Sequence, residues 1–132
     1  MSAFVDTSAL VAMLDTSDRQ HEAALDIWER CQDRQLLLTT TNYVVSECTA
    51  VLQRKLGLDA VRDLWGEVLA LMHVEWVTTG DHEAGAATLL AVQRRELSFV
   101  DCVSFVIMRR LGLASAFAFD KQFTEQGFEL LV

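Results

Sequence analysis

Two short apolar runs in this sequence stop on an aspartate, one at each end of the chain. Ala3–Val5 leads into Asp6, and Ala116–Phe119 leads into Asp120. A run without polar alternation predicts a strand buried on both faces, as in a parallel sheet covered by helices. Ligands bind beyond the carboxyl ends of such strands, so the two carboxylates are expected side by side. Because like charges repel at that distance, the pair predicts a divalent cation.

Two further acids lie on helices that border the core. Asp101 lies near the start of the segment 100–108, which is apolar nearly all round and therefore predicted to be buried. A carboxylate there costs several kcal/mol unless something compensates its charge. Glu47 borders the apolar stripe of a helix predicted at Asn42–Leu56 and does not lie on the opposite, polar face.

Each acid has an ordinary structural alternative. Asp6 and Asp120 are suitable helix caps, and Asp101 can close a capping box with Ser98. Glu47 can extend from the edge of the core into water. Capping explains why one acid is tolerated at one position, but it does not explain four acids that converge. The four together favour a carboxylate cluster.

Composition limits the class of protein. The chain has 132 residues, which predicts one domain, and 52 % of them are hydrophobic. No apolar stretch reaches the roughly 20 residues of a membrane span, and the start has no signal-peptide pattern, so a cytoplasmic protein is expected. The surplus of apolar residues suggests that a second copy covers one face. The histidines have no zinc-ligand spacing, and three cysteines are predicted to be buried free thiols: Cys31, Cys48 and Cys102.

The net charge of −8 disfavours a broad nucleic-acid-binding surface, because phosphates are repelled at long range. Carboxylates gathered around Mg²⁺ are neutralised locally, however, and then attract phosphate oxygens. Three basic doublets, Arg54-Lys55, Arg94-Arg95 and Arg109-Arg110, are either a modest positive rim or solvated residues near helix ends. The charge pattern leaves both interpretations open.

Hydrophobic periodicity predicts alternating strands and helices. The five strands are predicted at Ala3–Val5, Leu36–Leu38, Val74–Val77, Ala116–Phe119 and Phe128–Leu131. About seven helices are predicted, at Ala9–Leu14, Asp18–Cys31, Asn42–Leu56, Asp59–Met72, Asp81–Arg95, Val100–Leu111 and Lys121–Glu125, with Asp18, Asp59 and Asp81 as N-caps. The expected fold class is α/β, a single domain over residues 1–132 with a central, mostly parallel five-stranded sheet.

Four segments in this order and spacing resemble the PIN-domain nucleases of the small toxin type, the VapC group of toxin–antitoxin systems. They are FVDTSAL at 4–10, TNYVVSE at 41–47, LSFVDC at 97–102 and FDKQF at 119–123, the last followed by Gly127-Phe128. The resemblance implies a parallel sheet and a Mg²⁺ or Mn²⁺ site formed by Asp6, Glu47, Asp101 and Asp120. In the same pattern a hydroxyl beside the first aspartate helps to orient the site, and Ser8 is preferred over Thr7.

The resemblance further implies a metal-dependent endoribonuclease, a homodimer, and an antitoxin whose tail blocks the site. Oxygen-only ligands suit Mg²⁺ or Mn²⁺ better than zinc. Asp6 and Asp101 are expected to bind one or two such ions directly, and Glu47 and Asp120 to complete the shell. One of the latter two is expected to accept the proton of the attacking water.

Two other functions are compatible with parts of the pattern. A Mg²⁺-dependent phosphoryl-transfer domain also collects acids beyond parallel strands. A phosphatase of that kind has a second aspartate two positions after the first, where this chain has Ser8. A PIN fold can also serve as a non-catalytic binding module. Loss of one or more acids is the mark of such a module, and all four are present here.

Overall fold

Strand β1 (Ser2–Val5) lies at the centre of a five-stranded sheet in the computed structural model, which describes residues 1–132. The other strands are β2 (Leu37–Thr41), β3 (His73–Glu75), β4 (Ser115–Phe117) and β5 (Glu129–Leu130). The order across the sheet is β3-β2-β1-β4-β5, and all four neighbouring pairs are parallel. The α/β class with five strands is confirmed, and the sheet is parallel throughout.

Seven α-helices cover the sheet: α1 (Thr7–Leu14), α2 (His21–Asp33), α3 (Asn42–Leu56), α4 (Leu58–Asp63), α5 (Thr79–Val92), α6 (Phe99–Leu111) and α7 (Gln122–Glu125). The helix predicted at Asp59–Met72 is interrupted, because α4 continues as a π-helical turn (Leu64–Val68) and then a 3₁₀ turn (Leu69–Leu71). Gly66 lies in the π turn, where its low helix propensity favours the break. None of the helices combines the length and apolar character that a bilayer crossing requires.

The helix starts at Asp18 and Asp59 were wrongly predicted. The Asp18 carboxylate instead accepts the backbone N–H of Gln20 at 2.8 Å, and α2 begins one residue after Gln20. This local turn satisfies the aspartate before the helix begins. Gly57, with φ +89°, ends α3 and immediately precedes α4, so Asp59 is the second residue of α4. There its charge stabilises the helix dipole without capping it.

Helices α5 and α6 both begin with a capping box. Thr78 caps α5, and the carboxylate of Asp81, the third helical residue, accepts the backbone N–H of Thr78. Ser98 and Asp101 form the same arrangement at the start of α6, as expected from the sequence. Asp81 was predicted as the cap itself, which is three positions after the actual cap, Thr78. Its carboxylate also accepts two hydrogen bonds from Arg110, at 2.9 and 3.0 Å, which joins α5 to α6.

The contact between α5 and α6 depends on a glycine. A Cβ atom at Gly85 would lie 2.5 Å from Val103 Cγ2 and 3.2 Å from the backbone N and Cα of Val103. Because two of these atoms are backbone, the helices cannot absorb a side chain by a rotamer change. Val103 is two residues from Asp101, so this close approach also fixes the depth at which α6 carries that carboxylate.

We expect Gly85→Ala to destabilise the protein by about 1–3 kcal/mol, because overpacking outweighs the higher helix propensity of alanine. Gly66→Ala is the matched control, since a Cβ there meets nothing within 4 Å. Urea denaturation of both variants measures the difference. Equal free energies of unfolding for the two variants would show that α5 and α6 are not held in this close contact.

Candidate active site

A cavity of about 590 Å³ lies beyond the carboxyl end of β1 and contains every site residue predicted from the sequence. Asp6 follows β1, Glu47 lies on α3, Asp101 on α6, and Asp120 follows β4. The lining residues are Asp6, Thr7, Ser8, Val11, Asp18, Arg19, Gln20, Glu47, Val51, Ser98, Asp101, Phe119 and Asp120. Four acids that are distant in sequence are therefore brought to one cavity by the parallel sheet and the helices on it.

Asp6 is the most deeply buried of the four acids, with 4 % of its surface exposed. Its backbone N–H donates to the carbonyl of Phe117 at 3.1 Å. Its carboxylate caps α1 by accepting the backbone N–H of Ser8 at 3.4 Å, and it also accepts the Ser8 hydroxyl at 2.9 Å. Burial, and then the nearby charge of Asp101, raise the pKa of Asp6 to about 7, although the hydrogen bonds from Ser8 oppose this. Asp6 therefore both caps α1 and belongs to the acid cluster.

Ser8 connects the two segments that carry Asp6 and Asp120. Its hydroxyl donates to Asp6 Oδ2 and accepts the backbone N–H of Phe119 at 3.0 Å, one residue before Asp120. Asp120 is half-buried and accepts the backbone N–H of Gln122 at 2.9 Å. A single hydroxyl therefore links the Asp6 carboxylate to the backbone that leads to Asp120.

Asp101 is buried at the start of α6 and experiences the charges of its neighbours. Desolvation raises the pKa of Asp101, with further contributions from the charges of Asp120 and Glu47, while its hydrogen bonds with Ser98 oppose the shift. The capping box explains how the acid is held in place. Repulsion from Asp120 and Glu47 thus adds to the larger effect of burial on this pKa.

Glu47 is half-buried at the edge of the cavity, whereas Ser46 and Ala50 beside it on α3 are exposed. This is the boundary position expected from the sequence. The neighbouring Cys48 is buried, and desolvation, followed by the charges of Glu47 and Asp6, raises the pKa of its thiol to about 12. All three cysteines are buried and unpaired, as predicted, and a thiol with the pKa of Cys48 is protonated at neutral pH and therefore a poor nucleophile.

The residues around the cavity fit a hard divalent cation in chemistry and charge. Their donors are carboxylate and hydroxyl oxygens, and Thr7 Oγ1 is buried without a hydrogen-bond partner. No three His, Cys, Asp or Glu side chains are spaced to hold an ion as their rotamers stand. Some of the carboxylates must therefore change rotamer to bind an ion together. Their mutual repulsion opposes this approach, and a cation would relieve that repulsion.

Comparison with known proteins agrees with this site. The model of the PIN domain family matches residues 3–129. The chain belongs to the PIN-domain family. It is 34 % identical over 126 residues to the 23S rRNA-specific endonuclease VapC20 of Mycobacterium tuberculosis, strains CDC 1551 / Oshkosh and H37Rv, covering 95 % of this chain and 94 % of VapC20. The resemblance stated from the sequence is thereby confirmed.

Solved structures share the architecture of this PIN domain. The crystal structure of M. tuberculosis VapC20, described as a sarcin–ricin loop cleaving toxin, superposes with a TM-score of 0.87 at 33 % identity over 96 % of each chain. VapBC2 from Rickettsia felis, in a complex with a DNA fragment from its promoter, gives a TM-score of 0.73 at 8 % identity, covering 99 % of this chain and 98 % of that one. At that identity the second likeness shows the fold alone.

Sequence reasoning missed one side of the cavity in this PIN domain. Asp18, Arg19 and Gln20, in the turn between α1 and α2, line it together with Thr7 and Val11 of α1. The cavity thus extends along α1 to the turn that follows it. An exposed arginine in a polar turn resembles any surface residue, so the sequence contained no signal for its position.

The raised pKa of Asp6 predicts a pH-dependent stability in the presence of EDTA. Between about pH 4 and pH 7 the folded chain binds more protons at Asp6 than the unfolded chain, so the free energy of unfolding falls as pH rises. For one carboxyl the difference is about 4 kcal/mol at most. We expect Asp6→Asn to be more stable than wild type at pH 7.5 and to lose most of this pH slope.

Urea denaturation in EDTA at pH 4.5 and 7.5 checks this prediction. Asp59→Asn is the control, because the Asp59 side chain is 95 % exposed and does not line the cavity. The account of a strained, crowded site is contradicted if Asp6→Asn and Asp59→Asn show the same dependence on pH.

Proposed function

We propose that residues 1–132 act as one nuclease domain that hydrolyses RNA phosphodiester bonds, using a divalent cation held by Asp6, Glu47, Asp101 and Asp120. The observation that carries the proposal is the convergence of these four acids on one cavity, where burial and mutual repulsion raise the pKa values of Asp6 and Asp101. Bringing these acids together lowers the stability of the fold. Strongly shifted pKa values of this kind are characteristic of functional sites.

The cation is proposed to be Mg²⁺ or Mn²⁺, because the available donors are oxygens. Asp6 and Asp101 are the proposed direct ligands, since they are the more deeply buried acids. Glu47 and Asp120 complete the set. When bound, such an ion supplies Lewis acidity that lowers the pKa of water and offsets negative charge developing on the phosphate.

The chain's own residues are proposed to orient the reaction. The Ser8 hydroxyl keeps the Asp6 carboxylate in one rotamer and fixes its distance from the segment that carries Asp120. Glu47 or Asp120, both half-buried, accepts a proton as water forms a bond to phosphorus. The bond from phosphorus to the 3′ oxygen breaks, and that oxygen takes up a proton. The products therefore carry a 5′-phosphate and a 3′-hydroxyl.

The substrate proposed is bacterial 23S rRNA, with the sarcin–ricin loop as the first target to test. The support is the similarity along almost the whole chain to VapC20, which is named for that specificity. Specificity for a loop also suits the geometry, because a strand must be free of its complement to enter the cavity.

The partners proposed are a cognate antitoxin that blocks the cavity and a second copy of this chain, acting in the cytoplasm. Their support is the resemblance to the VapC group. The surface also offers apolar area to a protein partner, since Trp65 and Trp76 are 57 % and 71 % exposed beside a groove of about 600 Å³ along α3.

Incubation of the purified protein with a synthetic sarcin–ricin stem-loop, and separately with a mixed RNA pool, tests the proposed activity. We expect cleavage with Mg²⁺ or Mn²⁺, none with EDTA, and a loss of at least about a thousandfold in Asp6→Asn and Asp101→Asn, since each removes a ligand of the catalytic ion. Asp59→Asn should retain wild-type activity. Mass spectrometry of the products should find 5′-phosphate ends.

Three results would contradict the proposal in different ways. Cleavage that persists in EDTA and leaves 2′,3′-cyclic phosphate would show that the RNA 2′-hydroxyl, and not water, is the nucleophile. Equal cleavage by wild type and Asp101→Asn would exclude the acid cluster. Cation binding without cleavage of either RNA would favour a non-catalytic binding module.

A further inference from the structure

Arginine 19 is the one basic residue among those that line the acid cavity. It is exposed and lies in the turn between α1 and α2. Five of the eleven lysines and arginines pair with an aspartate or glutamate, namely Arg30, Lys55, Arg62, Arg94 and Arg110. Arg19 forms no such pair, although this chain is strongly acidic.

Two acids that precede Arg19 in the sequence, Asp15 and Asp18, are occupied by other partners. The Asp15 carboxylate accepts both the backbone N–H and the hydroxyl of Ser17, and it pairs with Lys55 at 3.4 Å. The Asp18 carboxylate accepts the N–H of Gln20. These contacts leave the guanidinium of Arg19 without a partner in the chain, and its five N–H donors are available to a ligand.

The turn that carries Arg19 is held at both ends. Asp18 donates its backbone N–H to the Asp15 carbonyl, and the backbone N–H of His21 donates to the Asp18 carbonyl, each at 3.0 Å. The ring of His21 hydrogen bonds to the carbonyl of Ala12 at 2.7 Å, which ties the start of α2 to α1. Because the backbone is already ordered, ligand binding at Arg19 costs little loop entropy.

The basic doublets do not supply an equivalent group at the cavity. Arg110 is engaged by Asp81 and Glu75, Lys55 by Asp15, and Arg94 by Glu125. Arg109 donates to Gln126 and stacks over the ring of Phe128, 5.2 Å from its centroid. Three of the six doublet residues are thus neutralised within the chain, and none of the six lines the cavity.

We propose that Arg19 binds a phosphate of the RNA strand next to the scissile one, and so sets the direction in which the strand crosses the cavity. The acids and Arg19 line the same cavity but form no ion pair with one another. Opposite charges therefore face the cavity near the two ends of α1. A ligand that brings a cation to the acids and a further phosphate to Arg19 satisfies both. Guanidinium binds phosphate through two parallel hydrogen bonds, which gives orientation as well as affinity.

This inference rests on the proposed function, and Arg19→Gln tests it. The substrate is the sarcin–ricin stem-loop, or whichever RNA the wild type cleaves. We expect this substitution to raise KM by about tenfold and to change kcat much less, because a contact away from the reacting bond contributes to binding. Arg19→Lys should recover part of the loss, since it keeps the charge but not the paired geometry. Arg34→Gln is the matched control, because Arg34 is exposed and forms no ion pair. It lies just before β2 begins, at the amino end of the parallel strands, whereas the cavity lies at their carboxyl ends.

A binding measurement separates a phosphate contact from a structural effect. The same RNA is titrated into Asp101→Asn protein with Mg²⁺ at several salt concentrations, with and without Arg19→Gln. Loss of one phosphate contact should make the slope of log K against log salt shallower by about 0.7. Arg34→Gln should leave that slope unchanged.

The outcomes distinguish this inference from the proposed function. If the wild type cleaves RNA and Arg19→Gln matches Arg34→Gln in KM and in salt slope, the assignment of Arg19 is overturned while the nuclease stands. If the wild type cleaves no RNA, the proposed function fails and the assignment of Arg19 fails with it. A kcat loss at unchanged KM would also overturn it, because it would place Arg19 at the reacting phosphate.

Discussion

The carboxylates gathered in the cavity are buried and repel one another, and the rest of the structure has to accommodate this constraint. A parallel sheet brings the ends of β1 and β4 together, and with them Asp6 and the segment that leads to Asp120. Packing of α6 then adds Asp101, close enough that its charge helps to raise the pKa of Asp6 to about 7. The fold tolerates this arrangement because each of these three aspartates also accepts a local hydrogen bond, from Ser8, Gln122 or Ser98. The same aspartate side chains therefore make local hydrogen bonds and form the proposed functional cluster.

The acidic net charge of the protein is compatible with the proposed RNA substrate because of where the charged groups lie. Long-range repulsion of phosphate follows from the net charge of −8, but attraction at the site depends on a few groups. A cation among the acids would offset their negative charge at one end of the cavity. Arg19 provides a positive group at the turn after α1. Half of the other ten basic side chains pair with an aspartate or glutamate of the chain, and none of the ten lines the cavity, so Arg19 is the basic group that an RNA strand would meet there.

The sheet and the four acids could be predicted because both depend on short-range patterns in the sequence. Apolar runs that end on Asp6 and Asp120, and a carboxylate in the apolar helix of Asp101, are visible without a structure. The starts of α2 and α4 were not predictable in the same way, since Asp18 and Asp59 have cap chemistry but are preceded by other turns. Arg19 was missed for a different reason. Its role follows from which acids are already paired, and pairing is a property of the tertiary structure.

The most direct test of the account is the binding of Mn²⁺ by titration calorimetry at pH 7.5, in wild type and in single Asn variants of Asp6, Asp101 and Asp59. The account predicts binding by wild type, loss of affinity by at least about tenfold in Asp6→Asn and Asp101→Asn, and no change in Asp59→Asn. It also predicts proton release on binding by wild type, since the ion takes up carboxylates whose pKa values are raised. Absence of binding by the folded wild type, or equal affinity in all four proteins, would contradict the claim that these acids form a cation site.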